Sequence, residues 1–231
     1  MASSWVDRAK LLQIECFTSL SAPIQASFAE LEEHVARCLC TASSLGQVVI
    51  ITNAESGWVE YSSKRFMPRL IPILEGMRIV SARSTYERFY PGAPLCWKAA
   101  AFAHEANQIF GSDAISDHKK EIISFGDSNE ERTAVRIAAG QLGALAKSIK
   151  FVDLPTPEQL CKQVETVAGW LTWILSHSTE LDLMLKASVA DGPLTPMQAS
   201  PAASSAEEPW RPQPAAELSP GLNPASVDLR A

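Results

Sequence analysis

Residues 121–138 have the sequence EIISFGDSNEERTAVRIA, which predicts a buried strand followed by an acidic loop and then a helix. The apolar run IISF is typical of a parallel strand whose two faces are both covered. Gly126 permits the turn that follows this strand. Asp127 and Glu131 place two carboxylates four residues apart at the junction of loop and helix. Carboxylate oxygens suit a hard cation, so the stretch predicts a Mg²⁺ site at Asp127 and Glu131.

The composition restricts the class of protein and its partners. The chain has 231 residues, 46% of them hydrophobic, which is enough for one well-buried core and a tail. Its net charge of -6 and its scattered Lys and Arg residues disfavour a nucleic-acid or membrane surface. The first twenty residues lack the layout of a secretory signal, and no apolar run is long enough to span a membrane. We therefore expect a soluble, intracellular protein, located in the cytoplasm.

The cysteines and histidines do not predict a metal site. The five cysteines are odd in number, and only Cys38 and Cys40 lie close together in the sequence. Their spacing is neither that of a zinc knuckle nor that of a redox pair, so we expect reduced and mostly buried thiols. The four histidines also lack the spacing of metal ligands.

Strand and helix patterns alternate on both sides of this stretch. Val48–Thr52 has the sequence VVIIT, a continuous β-branched run that predicts an interior parallel strand. Shorter runs at Met77–Val80 and Ser148–Val152 predict two further strands. The alternation indicates an α/β fold with a three-layer, Rossmann-like parallel sheet. Helices are predicted at Trp5–Phe17, from Pro23 to a stop at Gly46, at about Ser56–Met67, at Pro94–Phe110, at about Asn129–Leu142, and behind a capping signature at Thr156, Pro157 and Gln159.

The chain is predicted to contain one domain and a tail. An apolar stripe with Ile24, Phe28 and Leu31 predicts that the second helix covers a face of the sheet. The helix after Thr156 is expected to close the domain, which covers residues 1–189. Eight of the fifteen prolines lie beyond residue 190, among Ala, Ser and Glu, and apolar periodicity is lost there. Residues 190–231 are therefore predicted to be a disordered tail.

Polar residues follow three of the predicted elements on one edge of the sheet. Thr52 and Asn53 end the VVIIT strand, and Asp127 follows the IISF strand. Lys98 lies in the first turn of the predicted helix at Pro94–Phe110, where backbone N–H groups also point outward. This combination predicts an anion-binding corner.

The order of three motifs, VVIITN, PLCWKAAAF and ISFGDSNEE, resembles the haloacid dehalogenase (HAD) superfamily, and the resemblance spans about Val48 to Val152. The resemblance implies that Thr52 donates a hydrogen bond to a phosphoryl oxygen, and that Lys98 neutralises charge during transfer. It also implies that Asp127 holds Mg²⁺, with Glu131 as the second acid. Asn53 and Ser128 would make secondary contacts.

One motif of that family is absent. Its first motif is a strand ending in Asp-x-Asp, which supplies the nucleophile and the general acid and base. No Asp-x-Asp occurs before Val48 in this sequence, so no nucleophile is assigned. A truncated gene model or an alternative start is the simplest explanation.

The missing strand would lie between the strands that end at Thr52 and Phe125. We therefore expect a gap or a new direct pairing there, and a poorly stable or aggregation-prone protein.

The resemblance leads to two functional hypotheses. No cap domain fits the short spacings, which implies an open site for a phosphorylated small molecule or protein. The first hypothesis is a Mg²⁺-dependent phosphohydrolase domain, truncated and inactive as it stands. The second is a non-catalytic phosphate-binding or regulatory protein.

A serine esterase with Ser128 as nucleophile is disfavoured. The motif GDS, residues 126–128, lies far from the start of the chain, and no Asp-x-x-His follows near the end. The sequence does not predict the oligomeric state.

Overall fold

Strands and helices alternate along the chain, as the sequence predicts. A computed structural model describes residues 20–111, 120–186 and 197–198. The predicted helix at Trp5–Phe17 and most of the predicted tail lie outside these residues. The chain divides into two units, 1–199 and 200–231, and every described residue belongs to the first.

The helices are α1 (Ala22–Leu45), α2 (Trp58–Phe66), a 3-10 turn (Pro68–Leu70), α3 (Ile71–Leu74), α4 (Ala82–Tyr86), α5 (Pro94–Phe110), α6 (Asn129–Leu142) and α7 (Pro157–Ser176). The strands are β1 (Val49–Thr52), β2 (Arg78–Ser81), β3 (Glu121–Gly126), β4 (Leu145–Lys150), β5 (Leu181–Met184) and β6 (Met197–Gln198).

The strands form two separate sheets. β1 pairs with β2 in parallel, and Thr52 lies opposite Ser81. The second sheet has the order β3-β4-β5-β6, with Gly126 opposite Lys150, and only β6 runs antiparallel to its neighbour. Among the described strands, none joins β1 to β3. β1 and β3 also do not pair with each other among these strands, so the direct pairing is not seen there, and the gap stays a prediction because residues 1–19 lie outside the described residues.

Helices cover both faces of the second sheet. On β3, Ile122 packs with Ala139 of α6, whereas Ile123 and Phe125 pack in the core formed with α7. Adjacent side chains of a strand point to opposite faces, so α6 and α7 lie on opposite sides. α1 joins the α7 side through Leu31. On the first sheet, Trp97 and Ala101 of α5 pack against residues of β1 and β2. The architecture is a three-layer α/β arrangement with parallel strands.

Two expectations about the second half of the chain are wrong. The strand predicted at Ser148–Val152 is observed at Leu145–Lys150, and it contains two buried lysines. These lysines interrupt the apolar run, so the pattern placed this strand a few residues too late. α7 does not close the domain, because β5 follows it and pairs with β4. Met197–Gln198, within the range assigned to the tail, pairs with β5 in turn.

The helices match their predicted positions more closely. α5 and α6 have the predicted bounds, and α2 is shortened to Trp58–Phe66. In α1, Phe28 and Leu31 are buried as expected, but Ile24 is 42% exposed because it lies in the first turn. In the part of the chain that the structure describes, no helix is both long and apolar enough to cross a membrane.

Candidate functional site

Lys98 connects the two sheets. It is the fifth residue of α5, one turn later than predicted, and only 4% of its surface is exposed. Its Nζ donates to the carbonyl oxygen of Ile51 in β1 at 3.0 Å, and it forms an ion pair with Glu131 at the start of α6. The carboxyl ends of β1 and β3 therefore meet around one buried ammonium group. This contact places Thr52, Lys98 and Glu131 in one region, as the sequence predicts.

The Glu131 carboxylate accepts hydrogen bonds from three donor groups. Glu131 is the third residue of α6 and forms a capping box with Ser128, whose backbone N–H donates to Oε2 at 3.1 Å. The Ser128 hydroxyl donates to the same oxygen, while Oε1 accepts from Lys98. A Cβ at Gly126 would lie 2.7 Å from Cγ of Glu131, so only glycine fits beside this side chain. Both carboxylate oxygens are thus engaged by donors within the protein.

The predicted magnesium site is not supported by this geometry. Mg²⁺ requires six oxygen ligands in near-octahedral arrangement. Asp127 is partly exposed in the loop after β3, but Glu131 already accepts hydrogen bonds on both of its oxygens. No group of three or more His, Cys, Asp or Glu side chains suited to a metal occurs among the described residues. Asp127 and Glu131 alone therefore do not supply the ligand set of Mg²⁺.

The end of β1 is fixed by the end of β2. Thr52 Oγ1 accepts from the backbone N–H of Ala54 at 3.1 Å, and the Ser81 hydroxyl donates to the Ala54 carbonyl at 2.6 Å. Ser84 supports the same turn by accepting from Ser56 N–H at 3.0 Å. The Thr52 hydroxyl retains its own hydrogen, which can be donated to a ligand. The prediction named Thr52 but not Ser81, although Ser81 directly follows the strand predicted at Met77–Val80, just as a polar residue ends the VVIIT strand.

Asn53 contributes an unsatisfied acceptor beside this turn. Its Oδ1 is buried and has no hydrogen-bond partner in the described part of the chain. Buried side-chain acceptors are normally satisfied, so this atom is available to a hydroxyl donor on a ligand. Asn53 therefore remains a candidate contact residue next to Thr52.

No known protein family, curated protein or solved structure matches this chain. The HAD resemblance consequently rests on the order and spacing of its three motifs. The arrangement does not resemble that of a serine esterase, since the Ser128 hydroxyl contacts Glu131 and not a histidine. The three described histidines are instead engaged with Glu30, Gln108 and Trp173. What the site offers is one buried cation, one free hydroxyl hydrogen and the start of α6.

Proposed function

We propose that this chain is a HAD-like domain whose carboxyl edge binds a phosphoryl group on a small molecule or a protein. The observation that carries the proposal is the buried Lys98, which reaches both β1 and α6. A buried ammonium group with few water contacts interacts strongly with an anion. Phosphohydrolase activity is the second candidate, and it needs an attacking carboxylate that this sequence lacks before Val48.

Each residue has a distinct role in this proposal. Lys98 supplies the positive charge, and Thr52 donates its hydroxyl hydrogen to a phosphoryl oxygen. The first backbone N–H groups of α6 add favourable dipoles at the same edge. The Mg²⁺ implied by the resemblance would neutralise phosphoryl charge, but it would need ligands beyond Asp127 and Glu131. The intracellular location likewise stays a prediction.

Glu131 competes with the proposed ligand. Its carboxylate already forms an ion pair with Lys98. An incoming phosphate must therefore displace this carboxylate or share the ammonium group with it. Glu131→Gln removes the negative charge but keeps a side chain that can accept from Ser128 in the capping box. We therefore expect the Gln variant to bind phosphate more tightly than the unmodified chain.

The test is calorimetric titration of the full chain with inorganic phosphate. The Glu131→Gln variant should bind at least about tenfold more tightly, a change of about 1.4 kcal/mol. The double variant Glu131→Gln with Lys98→Met should lose this binding, and its circular dichroism reports whether the fold persists. Equal phosphate binding by a folded double variant would contradict the proposal. Phosphate binding by the unmodified chain that requires Mg²⁺ and is lost in Glu131→Gln would favour the metal site instead.

A further inference from the structure

We infer that Lys150 is a second anion-binding residue at the carboxyl edge of the sheet, and that the ligand is a small molecule with two linked phosphoryl groups, a diphosphate. The inference rests on the proposed function, because it places the second phosphoryl group next to the one bound by Lys98. Lys150 is the last residue of β4, and only 6% of its surface is exposed.

The register of the second sheet places Lys150 beside Glu131. Lys150 lies opposite Gly126 in the parallel pairing of β4 with β3, so the two residues are about 4.8 Å apart and their side chains leave the sheet on the same face. A Cβ at Gly126 would lie 2.7 Å from Cγ of Glu131, so Glu131 covers that face. Glu131 is also the ion-pair partner of Lys98. The two buried lysines therefore occupy neighbouring positions at this edge.

The ammonium group of Lys150 has only modest partners in the part of the chain that the structure describes. Its Nζ donates to Oδ1 of Asp153 at 2.6 Å and to the Phe151 carbonyl oxygen at 3.3 Å. An ammonium group has three N–H donors, and the Asp153 side chain is 75% exposed. An exposed carboxylate stabilises an ion pair little, because water competes for its charge, whereas burial of the ammonium group is costly. Lys150 can therefore take a stronger anionic partner.

The turn that carries Asp153 can release Lys150 without disturbing the core. Phe151 and Pro155 are buried at the two ends of this turn, whereas Leu154 between them is 77% exposed. Leu154 has a φ of 47°, in the left-handed region that residues with a Cβ rarely adopt, and it precedes a proline, which favours extended backbone. Movement of Asp153 and Leu154 therefore removes little apolar packing and relieves backbone strain.

These features define the ligand. One phosphoryl group bound by Lys98 and the start of α6 would leave Lys150 paired with Asp153. A second phosphoryl group linked to the first can reach a lysine on the next strand, because neighbouring strands are only about 4.8 Å apart. Its oxygens would accept charge-assisted hydrogen bonds from the ammonium group and displace the exposed carboxylate.

The experiment is calorimetric titration of the full chain with inorganic phosphate and with inorganic diphosphate, in metal-free buffer of constant ionic strength. Lys150→Met removes the ammonium group, and Asp153→Asn removes its competing carboxylate. Lys64→Met is the matched control, because it removes one positive charge from an exposed position on α2. Lys98→Met tests the proposed phosphate site in the same series. Circular dichroism reports whether each variant is folded.

The unmodified chain should bind diphosphate at least about tenfold more tightly than phosphate. Lys150→Met should weaken diphosphate binding at least about tenfold and change phosphate binding by less than about twofold. Asp153→Asn should strengthen diphosphate binding about threefold, because an exposed carboxylate no longer competes for Lys150. Lys64→Met should change neither affinity by more than about twofold.

The failure of this inference is distinguishable from that of the proposed function. If phosphate binding depends on Lys98, equal diphosphate affinities in Lys150→Met and Lys64→Met, or diphosphate binding no tighter than phosphate binding, would overturn the inference alone. Unchanged phosphate binding in a folded Lys98→Met variant, or no binding of either anion, would overturn both. If Lys150→Met does not fold, Asp153→Asn decides, because an unchanged diphosphate affinity in that variant overturns the inference.

Discussion

Lys147 is a fully buried lysine on β4 and forms a second charged junction, away from the candidate site. Its Nζ donates to Glu121 at 2.7 Å and to the carbonyl oxygens of Ile174 and His177 at 2.8 and 2.7 Å. These carbonyls lie at the C-terminal end of α7, where a positive charge interacts favourably with the helix dipole. Lys147 thereby fixes the end of α7 to the sheet.

We predict that Lys147→Met strongly destabilises the protein. The change leaves the Glu121 carboxylate and two carbonyl groups without their common donor, which should cost about 3 kcal/mol of unfolding free energy. The measurement is the midpoint of urea denaturation, with the exposed Lys64→Met as the control. A Lys147→Met midpoint equal to that of the control would show that the junction contributes nothing net.

At the residue scale, the sequence predicted which side chains gather but not how they pair. Thr52 ends a strand and Glu131 lies in the first turn of a helix, and parallel strands bring such positions to one edge, where Lys98 from the second turn of α5 reaches both β1 and Glu131. The ion pair between Lys98 and Glu131 depends on how α5 packs against α6. The number of residues between Lys98 and Glu131 in the sequence does not determine how α5 and α6 pack. The same limit applies to Lys147, whose partners come from β3 and α7.

At the scale of elements, α7 shows why some boundaries are predictable. Thr156 accepts from Gln159 N–H at 3.2 Å, and Gln159 Oε1 accepts from Thr156 N–H at 2.9 Å. With Pro157 at the first helical position, these local signals define where the helix begins. α5 and α6 also begin at local signals and have their predicted bounds. β4 and β5 were misplaced or missed, because Lys147 and Asp182 within them are neutralised by distant partners, Glu121 and Arg132.

We predict that Thr156→Ala lowers the unfolding free energy by about 1 kcal/mol, through loss of the capping hydrogen bond. Thr166→Ala, at a partly exposed position in the middle of the same helix, is the matched control, and it should change the unfolding free energy by less than about 0.5 kcal/mol. Urea denaturation of both variants provides the comparison. Equal destabilisation of the two variants would indicate that the cap is dispensable.

At the scale of the whole molecule, the interrupted sheet bears on activity. We predict that the full chain does not hydrolyse p-nitrophenyl phosphate in the presence of Mg²⁺, because the sequence has no Asp-x-Asp before Val48 to supply an attacking carboxylate and both oxygens of Glu131 are engaged. The assay is release of p-nitrophenolate, and titration with Mg²⁺ should give little or no heat. Turnover that disappears in Asp127→Ala would contradict this expectation.

The second prediction at this scale concerns residues 200–231. Removing them should change the melting temperature by less than about 1 °C, since their composition lacks the apolar periodicity of a packed element. The cut lies after Ala199 because Met197–Gln198 pairs with β5. Scanning calorimetry of the full and shortened chains is the measurement. A drop of several degrees would mean that this segment packs on the domain.

The packing of α1 on α7 has a consequence for synthesis on the ribosome. Phe28 and Leu31 belong to the first described helix, whereas α7 begins about 110 residues after α1 ends, which takes roughly 5–25 s of translation. During that interval the apolar stripe of α1 lacks its final helix partner. The growing chain therefore exposes a hydrophobic surface that chaperones can recognise, and its folding is completed only when the last long helix has been made.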